Sequence, residues 1–108
     1  MIIREWRGRA SRSQSAEYPK HFRGAVLPEL RNVPGFLGAY LTQRADGERV
    51  EFLVLTRWAS MEAIQKFAGS NPEEAVVEPG ARAALEDFDR HVRHYVVLED
   101  EVPPGLTP

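Results

Sequence analysis

The pattern of apolar and polar positions changes period between residues 50 and 69, and this change gives the clearest prediction in the chain. Residues 50–58 are rich in β-forming residues, and large apolar side chains occupy both alternating sets, which predicts a strand covered on both faces. Ser60 then offers an N-cap side chain, and apolar residues recur at helical spacing until Gly69. Trp58 therefore lies at a strand-to-helix junction, where α/β layers tend to leave crevices for ligands.

The same pattern predicts three more strands. They cover residues 2–9, 36–44 and 92–98. Asp46-Gly47 indicates a tight hairpin that pairs the strand at 36–44 with the strand at 50–58.

Two further helical regions are expected. A first helix is indicated by apolar residues at four-residue steps, namely Tyr18, Phe22, Val26 and Leu30. Because Pro28 lacks the N–H that a helix interior uses, we expect a kink or break near residues 24–27. After Gly69, we expect one short helical piece from Asn71-Pro72 to Val77 and a second that continues through Phe88.

The order of predicted elements is strand, helix, strand, strand, helix, strand. This is the βαββαβ order of a ferredoxin-like α+β fold, whose helices cover one face of an antiparallel sheet and leave the other face open. Because three of the four strands carry large apolar residues on both sides, we expect an apolar open face, covered by a second sheet in a symmetric homodimer. The domain is expected to span residues 1–99, and residues 100–108 are expected to form a flexible tail.

Composition limits the partners and the location. The chain has 108 residues and a formal net charge of −2, which gives no electrostatic case for nucleic acid or an anionic membrane as a partner. The arginines around the first strand are interpreted as a solvated edge: Arg4, Arg7, Arg9 and Arg12. The absence of cysteine excludes disulfides, thiolate metal sites and cysteine nucleophiles. No segment is typical of a signal peptide or a transmembrane span, so we expect a cytoplasmic protein.

Three stretches resemble a known family: the strand ending FLVLTRW, the helix ASMEAIQKFAG and the closing strand VRHYVVL. Together with the element order, they are similar to the antibiotic biosynthesis monooxygenase superfamily of dimeric α+β barrels. The resemblance implies a homodimer with a pocket between sheet and helices in each subunit. In the best understood members it also implies oxygenation of aromatic polyketides without metal or flavin. The family's pocket tryptophan corresponds to Trp58.

A related branch of the superfamily degrades haem. The resemblance places its axial histidine on the helix after that tryptophan and an asparagine on the first strand. Here no histidine lies between Phe22 and Arg90, and Trp6 falls about where the asparagine should be. His91 and His94, three apart on a strand, point to opposite faces and do not make a convincing metal site. Haem degradation is therefore disfavoured, and no cofactor or metal is expected.

Three residues are catalytic candidates, and each has a structural alternative. Trp58 either lines the pocket or fills the core under the second helix. His21 follows Tyr18 by three residues, so the two share a side of the first helix and offer an imidazole and a phenol to a ligand. His94 shares a strand face with apolar residues, where a histidine is more often a satisfied core group than a base.

Tyr18, Trp6 and Arg57 are the substrate-binding candidates. Tyr18 also belongs to the apolar stripe, which favours a structural role. Arg57 would pair with an anionic group of the substrate, although an arginine at a strand end is usually solvated. The sequence has no glycine-rich phosphate loop, nucleophile elbow or dinucleotide fingerprint.

Three functional hypotheses follow. The first is a cofactor-independent monooxygenase acting on an electron-rich phenol, anthrone or quinol, which needs a polar group at an apolar cavity. The second is a non-catalytic small-molecule binder, which needs only the cavity. The third is a dimeric accessory protein whose cavity is filled by side chains.

Overall fold

A computed structural model describes residues 1–105 of the chain. One antiparallel sheet contains five strands: β1 Ile2–Ser11, β2 Phe36–Asp46, β3 Arg49–Trp58, β4 Asp87–Phe88 and β5 Arg93–Val96. The sheet order is β2-β3-β1-β4, and β5 pairs with β1 beyond β4 on the same edge. Helices lie over one face of this sheet. The predicted ferredoxin-like α+β fold is confirmed.

The first helical region is a single run with an irregular centre. Three segments follow one another: α1 Glu17–His21, a π-helical turn Phe22–Val26 and α2 Leu27–Arg31. The expected irregularity is therefore confirmed as a π turn rather than a break. Pro28 falls in the first turn of α2, where a missing N–H removes no hydrogen bond from a regular helix.

The second half of the chain departs from prediction in three places. Helix α3 covers Met61–Ala68, and Ser60 caps it by accepting a hydrogen bond of 3.1 Å from the N–H of Ala63. The helical piece expected up to Val77 was wrong, because residues 73–75 pair with residues 90–92 through backbone hydrogen bonds instead. Helix α4 covers only Pro79–Ala84.

The other differences concern the end of α4 and the edge strand that follows it. Phe88 was expected on a helix, but it pairs with Gly8 in the sheet. A Cβ atom on Gly8 would lie 2.8 Å from Cδ1 of Leu85, so glycine permits this close packing. The edge strand is thus divided, and the final strand β5 is shorter than the predicted span of residues 92–98.

The helix-covered face of the sheet carries two apolar clusters. The first includes Tyr18, Phe22, Phe52 and Val54, and the second consists of Leu30, Trp58, Ala63 and Ile64. Val26 and Leu27 pack against both clusters. The π turn therefore lies over the boundary between them.

The open face was expected to be apolar, and this is only half correct. Leu53, Leu55 and Tyr40 lie near its middle, as the registers of β2 and β3 require. One end is a row of alternating charges across four strands, formed by Arg44, Glu51, Arg9 and Asp87. Asp89 also contacts Arg9 in this row.

Residues 100–105 of the predicted tail form no helix or strand and are exposed, and residues 106–108 lie outside the described part of the chain. No helix in the described residues has the length and apolar character needed to cross a membrane.

Candidate functional site

A small cavity lies between the sheet and the helices. Its volume is about 50 Å³. Its walls come from both apolar clusters and from the segment between α3 and α4, and are formed by Arg4, Trp6, Val26, Leu30, Val54, Thr56, Phe67, Val76 and Val92. A water molecule occupies roughly 30 Å³ in the liquid, so the cavity as it stands holds one or two waters. Most of its lining is apolar, and Arg4 supplies the charge.

Arg4 is the most unusual residue of this cavity. Its side chain points inward from β1, and the residue is only 5% exposed. Nη1 donates to the carbonyl oxygen of Pro72 at 2.6 Å, and Nη2 donates to that of Glu74 at 3.0 Å. The guanidinium carbon lies 5.9 Å from the ring centroid of Phe67. Burial lowers the pKa of Arg4 to about 10, and the charge of Glu73 opposes this shift, so the guanidinium stays charged at neutral pH.

His94 lies directly beside Arg4, because the two residues are paired in the register of β1 and β5. Nη1 of Arg4 is 3.0 Å from Nε2 of His94. Since the guanidinium has only donors, Nε2 is the acceptor in this contact and the neutral ring carries its proton on Nδ1. Burial and the charge of Arg4 lower the pKa of His94, and Glu73 acts against them. His94 is therefore mainly an uncharged base at neutral pH.

Trp58 is a core residue beside the cavity rather than part of its wall. It is fully buried, it stacks on Phe67 with a centroid distance of 5.7 Å, and its ring meets Phe36 edge-on at 5.4 Å. Phe67 and Thr56 separate it from the cavity, since both of them line it. The structural alternative for Trp58 is the one that this geometry favours.

His21 and Tyr18 lie elsewhere. The His21 ring packs against α4, where a Cβ atom on Gly80 would lie 2.5 Å from its Nδ1. Tyr18 is buried in the first apolar cluster, with its ring 5.2 Å from that of Phe52. Burial, helped by the charge of Glu78, raises the pKa of Tyr18 well above its usual value of 10.0. Neither side chain lines the cavity.

The remaining candidates divide between the two faces of the sheet. Trp6 does line the cavity, and its indole N–H donates to the carbonyl oxygen of Asp89 at 2.7 Å. Arg57 alternates with the inward residues Thr56 and Trp58, so it belongs to the open face. Among residues 1–105, no three histidine, aspartate or glutamate side chains come together in a way that could hold a metal ion.

Sequence reasoning missed Arg4, Thr56 and Phe67. The expectation that Arg4 is solvated was wrong, although a signal was present. Arg4 shares its alternating set with Gly8 and Ala10, both of which are buried, and with Trp6. That set faces the helices, so a charged residue within it was placed toward the core.

The chain matches the family model described as antibiotic biosynthesis monooxygenase over residues 1–94. The chain belongs to the antibiotic biosynthesis monooxygenase family. This confirms the resemblance seen in the sequence. No curated protein matches the chain at a significant level.

Solved structures of several other proteins share the fold of this chain. A monooxygenase from the gene ActVA-Orf6 of Streptomyces coelicolor, in complex with nanaomycin D, is 17% identical with a TM-score of 0.67, covering 94% of this chain and 91% of that one. The haem-degrader MhuD of Mycobacterium tuberculosis, with two haems bound, is 22% identical with a TM-score of 0.61, covering 94% and 100%. A protein of unknown function from Nitrosomonas europaea is 15% identical with a TM-score of 0.61, covering 96% and 95%.

Proposed function

We propose that the protein is a monooxygenase that oxidises an electron-rich aromatic small molecule, such as a phenol, anthrone or quinol, without added metal or flavin. The observation that carries this proposal is the Arg4–His94 pair at the edge of an apolar cavity, with 3.0 Å between Nη1 and Nε2. When a substrate oxygen replaces Nε2 of His94 as the acceptor on Arg4, the freed lone pair of the neutral imidazole can take a proton from the substrate while the cation stabilises the resulting oxyanion.

The chemistry then needs electrons only from the substrate. For an anthrone, His94 removes a proton from the CH₂ group or its enol, and Arg4 holds the oxyanion. The carbanion reduces O₂, and loss of water leaves a carbonyl, so CH₂ and O₂ give C=O and H₂O. In this proposal Phe67 and Trp6 form the apolar wall of the site, a role that was expected of Trp58. His94 is the base rather than His21, since His94 contacts Arg4, whereas His21 lines a different cavity between α1 and α4.

Substrate entry requires the cavity to widen. Binding sites for small molecules usually measure about 300–1,000 Å³, whereas this one measures about 50 Å³. Val76 belongs to its wall, is 41% exposed and lies in a segment with no regular helix or strand. In our proposal, outward movement of this segment makes the room.

Haem is a poor fit to these residues. Helix α3, which follows Trp58, contains no histidine that could serve as an axial ligand. We therefore do not extend the haem degradation named for MhuD to this chain.

The test is oxygen uptake with 1,8-dihydroxyanthrone, in the presence of a chelator and with no flavin or nicotinamide added. We expect faster uptake with protein than without it. His94→Gln should lower kcat by about a hundredfold with little change in KM, because a general base contributes to the transition state. His91→Gln, an exposed histidine nearby, is the matched control and should have no effect.

Two outcomes would contradict the proposal. In the first, His21→Ala loses turnover and His94→Gln keeps it, which would identify His21 as the base. Tight binding of electron-rich aromatics with no oxygen uptake by any of them would favour the non-catalytic binder.

We further propose that two copies pack sheet against sheet. Tyr40 is 60% exposed and Tyr95 is 49% exposed. Both lie on the open face, near Leu55 and Ile3 respectively in the register of the sheet. A second copy would bury these side chains. The cytoplasmic location stays a prediction.

A further inference from the structure

Arg4 carries a buried charge with no carboxylate within salt-bridge distance in the described residues. Among residues 1–105 it forms no salt bridge, whereas Arg9 contacts the carboxylates of Glu51, Asp87 and Asp89. A buried charge is costly unless it is paired. Three of the five N–H donors of a guanidinium are used here, on two carbonyl oxygens and one imidazole. Two donors remain without a partner in the described residues, so two carbonyl oxygens and one imidazole leave the hydrogen-bonding capacity of the guanidinium incomplete.

The two carbonyl acceptors belong to the segment that covers the cavity. Pro72 and Glu74 lie between α3 and α4, and Val76 of the same segment forms part of the cavity wall. The guanidinium of Arg4 therefore holds this segment down. Carbonyl oxygens are neutral acceptors, whereas a carboxylate adds a full negative charge and can form two parallel hydrogen bonds with a guanidinium. A carboxylate at this position would displace them.

We propose that the cavity takes an aromatic carboxylate, and that its carboxylate replaces the carbonyls of Pro72 and Glu74 on Arg4. The replacement removes the hydrogen bonds from Arg4 to the covering segment, residues 69–78. In our proposal the segment then moves outward, with opening of its backbone pairing to residues 90–92, and makes room for the ring. The inference rests on the proposed function in using the same cavity as the substrate site, and it adds the charge and class of the substrate. The electron-rich ring and the carboxylate are then parts of one molecule. Because a guanidinium has five N–H donors, two can bind the carboxylate while another stabilises the oxyanion.

The chemistry of the walls favours this class over other anions. Guanidinium and carboxylate are both planar and match in a bidentate pair. The cavity wall offers one cation, Arg4, and the neutral imidazole of His94 lies beside that cation, which suits a monoanion better than a phosphate dianion. Phe67, Trp6 and Leu30 supply apolar contacts for a flat ring. Glu73, an exposed acidic side chain nearby, does not form a salt bridge with Arg4 in the described residues.

The test compares benzoate with benzamide, which have nearly the same shape but differ in charge. Binding to the full chain is measured by calorimetry, without oxygenation. We expect benzoate to bind at least about ten times more tightly, as the stronger charge-assisted bonds imply. Arg4→Gln should reduce the preference to about twofold or less. Arg93→Gln is the control, since Arg93 lies on β5 with an exposed side chain and should leave the preference intact.

A second measurement needs no variant, so the inference is testable even if Arg4→Gln does not fold. Amide hydrogen exchange of residues 73–78 in the wild type should become faster with benzoate and stay unchanged with benzamide. Equal affinity for the two probes, no binding of either, or a benzoate preference that survives in Arg4→Gln would overturn the inference. Oxygen uptake from a neutral anthrone without any benzoate preference would overturn only the inference. Benzoate preference without oxygen uptake from any aromatic would overturn only the proposed activity.

Discussion

The indole N–H of Trp58 donates a hydrogen bond of 2.8 Å to Oγ1 of Thr56, two residues earlier on the same face of β3. Both residues are buried. The Thr56 hydroxyl in turn lies 3.5 Å from the carbonyl oxygen of Arg4. The core tryptophan thus fixes a hydroxyl in the cavity wall, and that hydroxyl contacts the main chain of the residue that carries the charge.

This contact makes Thr56→Val an informative substitution. Valine keeps the shape of threonine but removes the acceptor, so the buried indole N–H is left without a partner. We expect a loss of about 1–3 kcal/mol in the free energy of unfolding, measured by urea denaturation. The control is Thr42→Val, in which an exposed hydroxyl that donates to the carbonyl oxygen of Leu53 is removed. It should cost no more than about 0.5 kcal/mol, and equal losses in the two variants would argue against the role of the Trp58 contact.

Gly35 should not tolerate a side chain. Its φ is 91°, and a Cβ atom there would lie 2.6 Å from Cβ of Ala63. Gly35→Ala is expected to lower the free energy of unfolding by about 2 kcal/mol or more, since strain and overlap add. Gly24→Ala is the matched control, because nothing lies within 4 Å of its added Cβ and its φ is not positive. A melting temperature that falls equally in both variants would contradict this explanation.

Stability should depend on pH through His94. Burial and Arg4 lower its pKa in the fold below the usual 6.5, with Glu73 acting in the opposite direction. Between the folded and unfolded pKa values the unfolded chain binds more protons, so this contribution is fully present above about pH 6.5 and is lost as the pH falls through the folded pKa. The comparison is with His94→Gln, which does not titrate there.

The carboxylates titrate in both proteins, so the difference between them isolates His94. We expect the stability advantage of the wild type over His94→Gln to shrink between about pH 7.5 and pH 5. Urea denaturation at several pH values measures it. An advantage that is constant or grows toward acid pH would mean that the histidine is not held neutral.

The proposed dimer predicts a specific effect of charge on the open face. Sedimentation at about 10 μM should show a dimer for the wild type, since assembly depends on protomer concentration. Tyr40→Asp should give a monomer, because it places a charge among the apolar residues of that face. Gln65→Asp adds the same charge on the exposed side of α3 and should remain dimeric. A monomeric wild type would rule out the assembly.

The sequence was most informative where one periodic pattern had one structural solution. Alternation in β3 and the capped helix after it were visible because Phe52, Ile64 and Trp58 all bury toward the same layer. The alternating set of β1 indicated the side of the sheet on which Arg4 lies, but its partners were not visible, since they are backbone carbonyls 68 and 70 residues away and no side-chain pattern encodes them. The divided edge strand was missed for a similar reason, because Gly8 lets Leu85 approach only once β1 and β4 are paired.

The π turn at Phe22–Val26 has a geometrical consequence for the first helical region. Four-residue steps overshoot the period of an α-helix by about 40° each, so a stripe at 18, 22, 26 and 30 would drift about 120° around a regular helix. The π turn has more residues per turn, so each of its residues rotates the chain by a smaller angle and the drift of the stripe is reduced. The turn thereby sets the angle at which Leu30 meets the cluster around Trp58. Removing one residue from the turn would restore regular winding and rotate everything after it by about 100°. The length of this turn therefore fixes the phase between the two halves of the core.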